Sequence, residues 1–156
     1  MMAALTPEEF AAYSALVEGS TLLQRAVERN LLDQANITQV QFEILMQVGG
    51  APEGLRMSQL ADRLIVSRSG LTYQAGLLEK AGFITRQRHD QDERGVVATI
   101  TPAGIELRDR IVPGHRELVH QAFLDVVTPA ELASLTAALG RVAAGLRGSA
   151  ATRVEP

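Results

Sequence analysis

Arg86, Arg88, His89 and Arg94 fall within the stretch RQRHDQDERGVVATI (86–100), interleaved with Asp90, Asp92 and Glu93. Several guanidinium groups in a row suit anion recognition. Each is planar, permanently charged, weakly hydrated, and forks two N–H bonds onto a carboxylate or phosphate. The chain as a whole is acidic, with a net charge of −3. Residues 56–94 nevertheless hold seven basic and five acidic side chains, a net of +2 that leaves −5 for the remainder. A basic middle in an acidic frame points to a localised anionic partner. Asp92 would repel phosphate. At two-residue spacing it can instead hold the Arg94 guanidinium by charge-assisted hydrogen bonds and fix its direction. A solvated loop tip is the ordinary reading of a charged hairpin. What precedes the hairpin decides between the two.

Other chemistry is poorly served. His115 and His120 are five residues apart, about 140° around a helix of 3.6 residues per turn. They do not share a face as a metal pair at i, i+4 does, and Glu117 with His120 makes too few ligands. There is no Cys, which removes disulfides, thiolate metal sites and cysteine-based redox triggers. Neither a phosphate-cradling glycine loop nor a Ser-His-Asp order occurs, so no enzyme activity, cofactor or metal is expected. The N-terminus, MMAALTPEEFAAY, lacks the basic head and apolar stretch of a leader, and no run reaches the ~20 apolar residues of a membrane span. A soluble, cytoplasmic protein with no membrane partner is the expectation.

The elements that must position these groups read mostly as helices. Thr6-Pro7-Glu8-Glu9 is a helix start with Thr as cap, Pro at the first position and Glu at the third. The apolar spacing from Phe10 through Tyr13, Val17, Leu23, Val27 and Leu31 carries that helix to about Asn36, with Gly19-Ser20 its weak point. Its exposed stripe asks for a partner. Thr38-Gln39-Val40-Gln41 opens a second helix, ended by Gly49-Gly50-Ala51-Pro52. A short helix over 57–64 and a longer one over 67–82 follow, with Ile65-Val66 as the tight turn, Ser67 as cap and Gly82 in the left-handed position past the end. Two helices so joined form a helix-turn-helix. Leu71, Leu77 and Leu78 are expected in the core. Residues 83–86 and 96–101 read as two short strands, and His89 to Gly95 as the loop between them. Thr101-Pro102 starts another helix, which Pro113-Gly114 should kink or break, and Thr128-Pro129-Ala130-Glu131 starts the last, ending near Leu146.

The stretch MSQLADRLIVSRSGLTYQAGLLEKAGFITRQRHDQDERGVVATITPAGIEL (57–107) resembles the MarR family of bacterial transcription regulators. Its wing carries the family's Asp-x-Arg at Asp92 and Arg94, followed by Ile100-Thr101 and Gly104. The resemblance implies a mainly α fold with a small β-hairpin wing, a winged helix-turn-helix flanked by N- and C-terminal dimerisation helices. It implies one domain over residues 1–150, with a winged core of about 38–101, dimerisation helices of about 7–36 and 102–147, and a flexible tail over 148–156. It further implies a homodimer, a double-stranded DNA operator and control by a small molecule, often an aromatic acid. A repressor released by a phenolic or aromatic ligand is the expectation, with an activator role, a metal effector or no effector as the alternatives. The sequence departs from the family at Tyr73, where a basic residue is common, and at Gly76 inside the second helix.

On that resemblance the groove-facing residues are Ser67, Arg68, Ser69, Thr72, Tyr73 and Gln74. Hydroxyls and a helix N-terminus suit phosphate oxygens, Arg68 can fork onto a guanine edge, and Gln74 can pair with adenine. Arg68 as a surface ion-pair partner and Tyr73 as a packing residue are the competing readings. In the wing, Arg86, Arg88 and His89 would reach phosphate or groove edges and Asp92 would orient Arg94, since narrow minor grooves concentrate negative potential. The rival class is a winged-helix protein-interaction or scaffold module without operator binding.

Overall fold

Local capping chemistry sets most helix starts. The computed structural model describes the backbone of residues 4–89 and 92–151 and the side chains of 4–88 and 95–148. At the head of α1 (Pro7–Ala35), Glu9 N–H donates to Thr6 Oγ1 (3.2 Å) and Thr6 N–H to Glu9 Oε2 (2.7 Å). The helix passes through Gly19-Ser20 unbroken and ends at Asn36, whose φ of 52° is left-handed. Thr38 and Gln41 repeat the reciprocal cap at α2 (Gln39–Gly49). Next come α3 (Met57–Leu64) and α4 (Arg68–Lys80). Ile65 turns the chain between them at a φ of 55°, a conformation that costs a β-branched residue roughly 1–2 kcal/mol. The neighbouring helices must hold it there.

Three strands form an antiparallel sheet in the order β1 (Leu55–Arg56), β3 (Asp92–Ile100), β2 (Ile84–His89). The sequence reading held no counterpart of β1. Two residues are too few to show alternation, and the strand exists only because Leu55 and Arg56 pair with Ala98 and Val97. Gly54 makes the approach possible. Its φ is +78°, and a Cβ there would lie 2.7 Å from the Ala98 carbonyl oxygen. The β2–β3 ribbon is also longer than expected. His89 pairs with Asp92 across a register shift after Arg88, so most of the segment read as a loop is strand. A ribbon that projects into water can carry charge on both faces, and polarity alone does not separate strand from loop.

The next helix, α5 (Pro102–Ala122), contains Pro113 and continues through it, so of the expected kink or break the break does not occur. Proline's fixed φ is compatible with a helix and costs one backbone bond. Buried Ile111 and half-buried Val112 and Leu118 anchor both sides of that site. Gly114 lies against α1, where a Cβ would be 2.6 Å from Gln34 Oε1. A 3-10 turn (Leu124–Val126) and α6 (Pro129–Ala151) complete the chain. Helix α6 is capped by Thr128 with Glu131 and continues past Gly148 into the segment expected to be a flexible tail.

Contacts divide the chain into two units, residues 1–118 and 119–156. The first holds the core: Leu31 of α1, Ile44, Leu45 and Val48 of α2, Leu60 of α3, Leu71 and Leu78 of α4, Ile84 of β2 and Ile111 of α5 are all essentially inaccessible. Each such side chain contributes about 1.5–3 kcal/mol. Leu77, expected with them, is 39% exposed, while Ala75 takes the buried position. In the second unit, α6 buries none of its described side chains and exposes Leu135, Leu139, Val142 and Leu146 at four- and three-residue steps. No single helix among the described residues is long and apolar enough to cross a membrane.

Candidate nucleic-acid interface

Helix α4 is anchored by one face and exposed by the other. Leu71, Ala75 and Leu78 are buried, leaving Arg68, Ser69, Thr72 and Tyr73 exposed on the opposite side near the N-terminus, with Tyr73 at 66%. Ser67 Oγ accepts from Gly70 N–H (3.1 Å) and lies 3.3 Å from Ser69 Oγ, so the cap and a hydroxyl pair share the helix tip. Thr72 Oγ1 donates to the Arg68 carbonyl (2.8 Å). This back-bond holds the hydroxyl against the helix backbone.

A cleft of about 350 Å³ runs beside this face, lined by Arg56, Ser58, Arg68, Thr72 and Arg86, with Val96 of the ribbon as its far wall. The geometry joins three arginines from β1, α4 and β2. Arg56 and Ser58 were not singled out by the sequence reading. The available signal was a basic residue immediately ahead of a helix whose third position is Gln59, which accepts from Arg56 N–H at 3.2 Å.

Arg86, expected to reach a phosphate or groove edge, has partners within the chain. Nε and Nη2 donate to Glu79 Oε2 (3.0 and 2.7 Å), its backbone N–H donates to Glu79 Oε1 (2.9 Å), and Nη1 donates to the Thr72 carbonyl (3.3 Å). The pair ties the ribbon to α4. The Arg86 hydrogen bond to its side chain, outweighing burial, holds the Glu79 carboxyl below the usual carboxylate range, aided by the backbone bond and by charge. Gly76 lies over this clamp, with its Cβ direction 3.5 Å from Arg86 Nη2.

Gln74 is placed apart from Arg68, Thr72 and Tyr73. It lines an open groove between α1, α2 and the α3–α4 turn, with its Oε1 buried and lacking a hydrogen-bond partner. Its position, one residue past Tyr73, rotates it about 100° toward the core side. Arg88 is exposed and alternates onto the same face of β2 as Arg86. The side chains of His89, Asp92 and Arg94 lie outside the described residues, so the expected Asp92–Arg94 bond does too. The wing motif does have a visible structural part. Thr101 Oγ1 donates to the Gly82 carbonyl (2.7 Å) and accepts from Gly104 N–H (3.1 Å). A Cβ at Gly104 would land on the Phe83 carbonyl.

The histidines stay apart. His115 packs half-buried on Phe42 with ring centroids 4.7 Å apart, and burial lowers its proton affinity against the opposing pull of Glu43. His120 Nδ1 lies 3.5 Å from Asp125. Among the described residues no three potential ligands converge on a metal position.

The family model described as the MarR family matches residues 35–95. The helix-turn-helix transcriptional regulator PecS of Dickeya dadantii (strain 3937) is 31% identical over 125 residues, 79% of this chain and 74% of that protein. The chain belongs to the MarR family. Sco3205, a MarR family transcriptional regulator from Streptomyces coelicolor solved in complex with DNA, is 34% identical, with a TM-score of 0.91 over 94% of this chain and 92% of that one. AbsC from the same organism is 31% identical, with a TM-score of 0.90 over 94% and 99%. This MarR chain is therefore a winged helix-turn-helix, DNA-binding transcription regulator. The relatives named are regulators rather than enzymes.

Proposed function

We propose that the chain is a cytoplasmic repressor that binds a pseudo-palindromic operator as a homodimer and is released by a small ligand. The observation that carries this reading is the exposed N-terminal face of α4 beside the arginine-lined cleft. Arg68 forks onto a base edge. Ser67, Ser69 and Thr72 meet phosphates together with the helix N-terminus, and Tyr73 lies against a sugar or base. Arg88, with His89 and Arg94, follows the neighbouring groove, and Asp92 orients Arg94. Arg86 positions the ribbon through Glu79 rather than touching DNA. Residues 7–36 and 102–147 supply the dimer interface. In support, Phe10, Tyr13 and Val17 of α1 and Leu135, Leu139, Val142 and Leu146 of α6 form exposed apolar rows at helical spacing, a pattern that partner burial relieves. A two-fold dimer sets its recognition helices about 34–36 Å apart, one turn of the duplex.

The test is a titration of the protein into its own promoter and into a scrambled duplex at several salt concentrations. Sequence-selective binding with a steep negative salt slope is expected. Arg68→Ala should cost about 1–3 kcal/mol at one operator position, while Arg88→Ala should weaken all duplexes alike and flatten the slope. Equal affinity for scrambled DNA would return the winged helix to a protein-docking role.

A further inference from the structure

The tight turn between α3 and α4 carries a side chain that neither its backbone nor its packing accounts for. Ile65 ends α3 with φ 55° and ψ 43°, and its N–H donates to the Ala61 carbonyl. Glycine or asparagine ordinarily fills such a left-handed cap. A β-branched residue there is an outlier, because its Cβ crowds the following carbonyl. Burial would compensate, yet Ile65 is 74% exposed, more than any other large apolar side chain among the described residues. Its neighbours behave differently. Leu64 and Val66 are half-buried and line the groove that α1 and α2 share with Gln74. Ile65, between them, lies outside both that groove and the core. Two positions later Ser67 caps α4, and Ser67, Arg68 and Ser69 are all exposed. A strained conformation combined with a side chain that packs on nothing in its own fold marks a residue kept for an outside contact.

We propose that Ile65 contacts operator DNA, laying its sec-butyl group against an apolar part of the duplex, a thymine methyl or the face of a deoxyribose. The turn leads into the exposed tip of the recognition helix, so the residue before the cap approaches the duplex together with Arg68. Isoleucine offers no donor, acceptor or charge. Phosphate is therefore not its target, and in the major groove thymine alone presents a methyl group. The contact presupposes the operator reading above; the strain in the turn does not.

Ile65→Gly and Ile65→Asn both suit a left-handed turn and both remove the apolar body, and Asn does so without the backbone freedom of Gly. Urea unfolding without DNA should place the midpoint of each at or above that of the parent, because strain is released. Operator affinity should nevertheless fall by about tenfold in both, the scale of a partly buried aliphatic side chain at each half-site. The salt slope should stay unchanged, since no charge is lost. Ile65→Val keeps a β-branched apolar body and should bind within about threefold of the parent. Replacing operator thymines one at a time by uracil removes single methyl groups. A position where the parent loses affinity and the Gly variant does not identifies a thymine methyl as the contact. A deficit that no uracil abolishes, shared by scrambled duplex, identifies the deoxyribose face. A deficit confined to the operator with no coupling to any uracil means that the turn acts by tilting α4, which overturns the proposal. Parental affinity in either variant, a lowered midpoint in both, or loss of the parent's oligomeric state in sedimentation overturns it equally. Failure of the parent itself to select operator DNA counts against the operator reading and is seen before any variant is compared.

Discussion

Removing the Glu79 carboxylate should loosen the ribbon from α4 by an amount the geometry bounds. Glu79 receives three bonds from Arg86, two from the guanidinium and one from the backbone amide. The side chains are 23% and 37% exposed for Arg86 and Glu79, so solvent screens the charge pair. A partly exposed pair in good bidentate-like geometry is then worth about 1 kcal/mol, the upper end for surface ion pairs. The Arg86 amide adds about 1 kcal/mol when it loses its acceptor in a half-buried position. Glu79→Ala should therefore cost about 2 kcal/mol, and Glu79→Gln, which retains an oxygen for the amide, about 1 kcal/mol. Urea unfolding at neutral pH reads both, with m unchanged, and a cycle with Arg86→Met should return a coupling near 1 kcal/mol. The sign with pH follows from the depressed folded-state value. The clamp is fully present above the ordinary carboxylate value of 4.5 and is lost as pH falls through the lower folded value. The gap between parent and Glu79→Ala should close there. Equal stability of the Gln and Ala variants, or zero coupling with Arg86, would refute the assignment of Arg86 to a clamp.

Two glycines should respond in opposite directions. Gly104→Ala places a methyl on the Phe83 carbonyl and 2.8 Å from Ile100 Cγ1, and should destabilise by about 1–3 kcal/mol in thermal or urea melts. Gly76→Ala meets nothing closer than 3.5 Å and should stabilise by up to about 1 kcal/mol; a loss there would mean that Arg86 cannot give way. His115, whose proton affinity is lowered chiefly by burial, binds its proton more readily in the unfolded chain. Stability should hold above pH 6.5, the ordinary value, and decline as pH falls from there through the lower folded value. A His115→Phe variant should flatten that decline, and an unchanged pH profile would remove His115 as its source.

The parts legible in the sequence share a physical reason: their forces act over three or four residues. Thr6, Thr38 and Ser67 cap the N–H groups next to them, and the structure shows each doing so. The spacing of Leu71 and Leu78 sets which side of α4 is wet, although Leu77, expected beside them, falls on the exposed side and Ala75 takes the buried position. The MarR motif was legible because it combines many such local requirements, including the Thr101–Gly104 bond that starts α5. The parts that were not legible depend on groups far apart in the chain. Strand β1 exists through pairing with residues more than forty positions later. Helix α5 passes Pro113 because core contacts hold both sides of it. That α4 brings Glu79 within 2.7 Å of Arg86, and that Gln74 lines a groove with α1 and α2, could not be read from either residue's neighbours in sequence. Sequence alone determined where the recognition helix begins and which chemistry surrounds it. Only tertiary packing decided that Glu79 holds Arg86, that Gln74 lines a groove with α1 and α2, and that Gln39 joins Glu28 to Glu43, because those outcomes are set by through-space neighbours that no local pattern encodes.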